Sequence, residues 1–262
     1  MKFKKYVAPK SLKEALDILH HDDNSIVLGG TTFLRLNNRE YSTAVDLKNL
    51  NLDYIKETED EIQIGAYTTL RDLETNKIIH DHFGNYFSQA LRNIVGVQFR
   101  NTATIGGSVF SRLGFSETIT FLLVLNCKLD LYESGTISLQ EFISQRDLKN
   151  DILKELRIKK IKGKYSYQTM QNSAEDIPVL SVAAAKKRNY TLAIGSRPML
   201  AAIPKKAMEN LNSGSFTKDN LQEIVKTAVA ETKFGRDHKA SAEYRQKIAR
   251  VLVRKALLEV ME

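Results

Sequence analysis

The sequence predicts a mixed α+β chain in three successive units, and three observations predict it. Helix-period and strand-period stretches alternate from residue 11 to residue 157. Two glycine pairs, Gly29-Gly30 and Gly106-Gly107, interrupt short apolar runs in two different units. From residue 158 the pattern changes to consecutive strands followed by helices. The unit boundaries fall at 1–53, 54–157 and 158–262. At 262 residues, with 42% hydrophobic and 27% charged content, the composition is that of an ordinary globular protein.

In the first unit, "SLKEALDILHH" carries Ser11 and Glu14 in a capping-box spacing. Leu12, Ala15, Leu16 and Leu19 follow at helical spacing. A strand over Ser25–Leu28 runs into Gly-Gly-Thr-Thr, and "TAVDL" gives a second short strand. "DYIKETEDE" reads as a polar surface connection. In the second unit, "EIQIGA" alternates as a strand does, while "TTLRDLETN" and "NYFSQALRNI" have helical spacing. "VGVQFRNTATIGGSVF" breaks that period and runs to the second glycine pair. "TITFLLVLNCKLDLY" is too long for one strand and reads as a helix turning into one; "TISLQEFI" and "DILKELRIK" complete the unit. The third unit has strands at "KYSYQTM", "PVLSVAAAKK" and "YTLAIG". Two helices close it, "DNLQEIVKTAVAE" and "SAEYRQKIARVLVRKALLEV", the second with Ile248, Val251, Leu252 and Leu258 as its core-facing stripe.

No stretch approaches the roughly 18 apolar residues of a membrane span, and the basic start has no apolar core behind it, so the chain reads as cytoplasmic. The formal charge of +8 is dispersed over several short Lys/Arg groups without a nucleic-acid signature, which points to solvated faces. The one cysteine, Cys127, lies in an apolar run, reads as a buried thiol, and excludes an all-cysteine iron–sulfur cluster held by this chain alone.

The chemistry centres on the glycines. Each pair reads either as a plain turn or as an amide-rich loop that cradles an anion. Taken as strand ends in two units, "VLGGTT" and "TATIGGSV" could both direct backbone donors at one pyrophosphate. No G-x-G-x-x-G and no P-loop pattern occurs, which sets aside a dinucleotide fold of that type and a nucleotide triphosphatase. His20, His21, His80 and His82 lie in polar stretches, and Ser108 and Ser111 lack a nucleophile-elbow motif. With no strong acid, base or nucleophile in evidence, a catalytic role requires a cofactor.

In these features the chain resembles the FAD-binding (medium) subunit of the xanthine dehydrogenase and carbon monoxide dehydrogenase family, the molybdenum hydroxylases. "IVLGGTTF" (26–33) is similar to the family's first pyrophosphate loop and "TATIGGSV" (102–109) to its second. "DILKELRI" (151–158) is similar to the strand flanking the flavin, and "ASAEYRQKIARVLVRKAL" (240–257) to the C-terminal helix of the third domain. The resemblance implies a two-subdomain α/β FAD-binding fold of the PCMH/vanillyl-alcohol-oxidase type, with FAD between the subdomains and a smaller α+β domain after them. It assigns to FAD the residues Ile26, Val27, Leu28, Gly29, Gly30, Thr31, Thr32 and Phe33 on one side. Thr104, Ile105, Gly106, Gly107 and Ser108 meet it from the other, with Ile94 and Leu153 as apolar contacts. Two positions depart from the family pattern: Glu117 stands where an Asp is common, and Gln168 where some relatives have a lysine near the flavin.

The function implied is an electron-transfer subunit that binds FAD and relays electrons between partner iron–sulfur clusters and an acceptor such as NAD+. Its partners would be a 2Fe-2S subunit and a molybdopterin-binding subunit, with no nucleic acid. The alternatives are a stand-alone FAD-dependent reductase or oxidase of the same fold and a non-catalytic assembly subunit.

Overall fold

The structure, a computed structural model, describes residues 1–145, 150–214 and 216–262. In chain order the first elements are β1 (Lys2–Val7), α1 (Leu12–His21), β2 (Ile26–Leu28), β3 (Glu40–Asp46), β4 (Ile55–Glu57), β5 (Glu61–Gly65) and α2 (Leu70–Thr75). Then come α3 (Lys77–Phe83), α4 (Tyr86–Leu91), α5 (Val97–Arg100), α6 (Ile105–Phe110), α7 (Glu117–Leu123), β6 (Lys128–Leu131), β7 (Gly135–Ser138), α8 (Leu139–Ser144) and β8 (Leu153–Lys159). The rest is β9 (Lys164–Met170), β10 (Leu180–Lys186), β11 (Tyr190–Gly195), α9 (Lys205–Asn212), α10 (Leu221–Glu231) and α11 (Ala242–Met261). These elements divide between two units: Met1–Leu73, Val97–Ser111 and Cys127–Lys159 in one, and Glu74–Gly96, Arg112–Asn126 and Lys160–Glu262 in the other.

The first unit contains two sheets. One is three-stranded and parallel, in the order β1-β3-β2. Against it α1 buries Ala15, Leu16 and Leu19, in a cluster with Val45, Leu47, Leu52 and Ile152. The start of α1 departs from the reciprocal capping box. Ser11 accepts from the Glu14 N–H at 3.1 Å, but the Glu14 carboxylate takes the N–H of Lys10 at 2.8 Å. The other sheet is antiparallel, in the order β4-β5-β8-β6-β7, and buries Ile62, Ile64, Leu129, Leu156 and Ile158. Strands β1 and β4 lie where the sequence suggested a basic start and a surface connection. Both are sheet edges with largely exposed side chains, held by backbone pairing on one side, so neither has the alternating apolar pattern of a half-buried strand.

In the second unit, β9, β10 and β11 form an antiparallel sheet with β10 in the middle. Every β10 residue except Lys186 is buried, which gives its continuous apolar run. Leu180, Val182 and Ala184 join Leu192 and Ile194 in one core with α9, α10 and α11. Burial on α11 differs from the expected stripe: Val251 is 50% exposed. The buried line is Arg245, Ala249, Leu252, Val253, Ala256, Leu257 and Val260, with Ile248 and Leu258 on its flanks. Alanines at 249 and 256 let the helix lie close to the sheet, so the face was set by small residues as well as large ones. Helix α9, absent from the sequence reading, joins the same core through Ala207 and Leu211. Among the described residues, no helix is long and apolar enough to cross a membrane.

Candidate functional site

Strand β2 ends at Leu28, and the chain then turns through Gly30 at φ 69° and Thr31 at φ 55°. Left-handed backbone is open to glycine but costly for a β-branched residue, so Thr31 stores local strain. A Cβ on Gly30 would stand 2.0 Å from the Thr102 carbonyl oxygen, which no side chain tolerates. Among the described residues, the N–H groups of Gly30, Thr31 and Thr32 donate to no backbone carbonyl. Phe33 closes the segment with its ring edge-on to Phe99, centroids 5.6 Å apart.

The second glycine pair is not at a strand end. Gly106 and Gly107 occupy the first turn of α6, and α5 precedes them where the sequence showed only a break in period. Helices of four and six residues are too short to display a 3.6-residue repeat. Their amides are also engaged: Ile105 N–H donates to Thr68 O at 2.9 Å, Gly106 N–H to Ala66 O at 2.9 Å, and Gly107 N–H to the Thr104 hydroxyl at 3.1 Å. Ser108 turns its hydroxyl back to Thr104 O at 2.9 Å. The picture of two amide-rich loops therefore holds for one of them, and the other is a firmly tied wall.

The two segments meet within the first unit. A Cβ on Gly29 would lie 3.0 Å from Thr104 Oγ1 and 3.2 Å from Gly107 Cα, and one on Gly107 would lie 2.7 Å from Gly29 O. Glycine at 29 and 107 serves the approach of backbone to backbone. What is left open is the row of amides on the first segment, beside the start of α6, an arrangement that fits an anionic group such as the pyrophosphate of FAD.

Leu153 opens β8 in the same unit and is buried. Ile94, Glu117 and Gln168 belong to the other unit. Glu117 begins α7, only 6% exposed, and accepts from the Tyr167 hydroxyl at 3.1 Å. Burial pushes its carboxyl up to about 8, and the Tyr167 hydrogen bond pulls weakly the other way. Gln168, on β9, donates through Nε2 to Glu259 Oε1 at 2.8 Å and to the Ser166 hydroxyl at 3.3 Å.

Sequence reasoning missed the segment Ala66–Thr68, which touches both glycine segments. Its carbonyls at 66 and 68 take the α6 amides, while the Tyr67 hydroxyl bonds Leu28 O. A signal was present: "IQIGAYTTL" repeats the form of "SIVLGGTTFL", an apolar strand, a glycine, then a threonine pair.

Comparison with known proteins gives matches over nearly the whole chain. The family model described as FAD binding domain in molybdopterin dehydrogenase matches residues 1–159, and that described as CO dehydrogenase flavoprotein C-terminal domain matches residues 165–260. The chain is 28% identical to the glyceraldehyde dehydrogenase medium chain of Sulfolobus acidocaldarius, over 97% of each chain. It is 22% identical to the carbon monoxide dehydrogenase medium chain of Hydrogenophaga pseudoflava, over 96% of this chain and 95% of that one. A solved structure of carbon monoxide dehydrogenase from Hydrogenophaga pseudoflava has a chain of the same fold, with a TM-score of 0.91 at 22% identity, covering 100% of this chain and 98% of that chain. With one family model spanning all of the first 159 residues and the other residues 165–260, the chain belongs to the FAD-binding domain family of molybdopterin dehydrogenases, and its cofactor is FAD.

Proposed function

We propose that this chain is the FAD-carrying medium subunit of a multi-subunit molybdenum hydroxylase, relaying electrons between a partner's iron–sulfur clusters and an acceptor such as NAD+. The observation that carries the reading is the row of amides at Gly30, Thr31 and Thr32, which donate to no backbone carbonyl among the described residues and lie beside the start of α6. Relatives named as medium chains or FAD-subunits, alike over the full chain or half of it, support a subunit role. The family models divide between residues 159 and 165, which supports a C-terminal flavoprotein domain at 158–262; the division of the FAD-binding part into subdomains at 1–53 and 54–157 is part of the proposal.

When bound, FAD supplies two-electron exchange with one partner and one-electron exchange with another. The chain's own part is to hold and orient it. The amides of residues 30–32 would meet the pyrophosphate, with Ile26, Val27, Leu28 and Phe33 shaping the first side and Thr104–Ser108 the second. Leu153 would give apolar contact in the same unit; Ile94, Glu117 and Gln168 lie in the other unit, where Glu117 is bonded to Tyr167 and Gln168 to Glu259 and Ser166. Substrate chemistry falls to a molybdenum-bearing partner. Among the described residues no His, Cys, Asp and Glu group is arranged to hold a metal ion, and the one cysteine is buried.

The test is anaerobic flavin bleaching, followed after adding candidate substrates to the purified chain, with and without iron–sulfur and molybdenum subunits of one complex. Bleaching is expected only with the partners present. Bleaching of the single chain by such a substrate would overturn the relay and favour a stand-alone flavoenzyme.

A further inference from the structure

Two strands and a helix end converge on the residues that follow β5. Ala66 O and Thr68 O accept the N–H groups of Gly106 and Ile105, each at 2.9 Å. Between them, the Tyr67 side chain reaches the ends of β2 and β3. Its hydroxyl accepts from the Leu47 N–H at 2.9 Å, donates to Leu28 O, and has Asp46 Oδ1 3.1 Å away as a second acceptor. The pair Leu28 and Asp46 is the last rung of the β2–β3 ladder. One side chain thus ties off that rung at the point where the glycine turn begins.

We infer that Tyr67 is a positioning residue for the FAD pyrophosphate loop: by fixing the Leu28 carbonyl it sets the direction of the amides that follow. The inference rests on the reading of residues 29–33 as the pyrophosphate segment. The peptide unit is planar and trans, so the carbonyl of Leu28 and the N–H of Gly29 point in opposite directions. A hydroxyl holding Leu28 O therefore aims the Gly29 N–H to the other side. It also removes one rotation from the strand end before the positive-φ turn at Gly30 and Thr31. A phenol suits the task, with one proton to give and lone pairs to receive the Leu47 N–H. Burial raises its pKa well above the ordinary tyrosine value, so it stays a neutral donor through the working pH range. The ring packs against the α1 core cluster, which holds the hydroxyl in place.

The experiment compares Tyr67→Phe with Tyr54→Phe in the full chain. Both substitutions keep a ring and delete one phenol hydroxyl in the same unit; the Tyr54 hydroxyl donates to Glu155 Oε2 at 2.5 Å on the five-stranded sheet. Three readouts are taken: the FAD dissociation constant, inhibition of FAD binding by ADP as a pyrophosphate probe, and the amide chemical shifts of residues 29–32 without ligand. Tyr67→Phe should weaken FAD and ADP alike by about tenfold, the effect of one buried hydrogen bond, and should move those amide resonances. Tyr54→Phe should lower the melting temperature without moving any of the three. Native FAD affinity and native amide shifts in Tyr67→Phe would overturn the inference, as would equal weakening in both variants. A wild-type chain that binds FAD but not ADP would overturn the pyrophosphate reading beneath it, while the amide shifts would still judge Tyr67.

Discussion

Among the described residues, Gly30, Thr31 and Thr32 follow a strand and give their amides to no backbone carbonyl, whereas Ile105, Gly106 and Gly107 begin a helix and give theirs to Thr68, Ala66 and Thr104. The two segments look alike in sequence, a glycine pair beside small hydroxyl residues. They differ because the second is backed by residues 66–68, whose carbonyls take up its donors. Glycine accordingly does two jobs. At 30 it permits a left-handed turn, and at 29 and 107 it permits two backbones to touch. On the proposed reading, a site for an anion is made by pairing one segment that still has donors with one whose first-turn donors are tied down.

The hardest blow to that arrangement is Gly107→Val. Its Cβ would press on Gly29 O at 2.7 Å and separate the segments. FAD binding should weaken by more than about a hundredfold, corresponding to about 3 kcal/mol of overpacking. Titration of the flavin-free protein measures this. Retained native affinity would mean that the segments do not need to touch.

A medium effect belongs to Glu117, a buried polar group with a different solution from either segment. Its carboxyl is held up to about 8 in the folded chain, against 4.5 ordinarily. The folded chain then keeps a proton that the unfolded chain releases. The associated stability is fully present below about pH 4.5 and is lost as pH rises through about 8. Melting temperature of the flavin-free protein should fall across that window, and Glu117→Gln should flatten the slope. An unchanged slope in the variant would show that another group carries it.

The smallest effect sharpens the comparison most. Thr104→Ala removes the cap of α6 and should cost about 1 kcal/mol of stability. Because Thr68 and Ala66 still hold the amides of Ile105 and Gly106, FAD affinity should change less than about threefold. A loss comparable to that of Gly107→Val would show that the second segment owes its shape to the cap alone.

Elements with a buried face of their own were legible in the sequence. The α1 and α10 patterns, the β10 run buried up to Lys186 and the passage from α7 into β6 all show the pattern that burial imposes. What escaped was held by backbone or by distant partners. Strands β1 and β4 are edges, α5 and α6 are too short for a period, and the buried line of α11 depends on how near its alanines bring it to the sheet. Within the candidate site, the glycines announced themselves because no other residue meets their steric demand. Tyr67 did not, since its role arises from hydrogen bonds to residues 20 and 39 positions away in sequence.

Cys127, 2% exposed, with its thiol pKa raised by burial, gives this chain a practical property. Alkylating reagents and mild oxidants act on accessible thiolates, so the folded protein should behave as though it had no cysteine. A cysteine introduced at exposed Leu36, a few residues past the first glycine segment, would be a unique attachment point for a fluorophore or spin label. The surroundings of the first glycine segment, with and without FAD, could then be followed without first removing a native thiol.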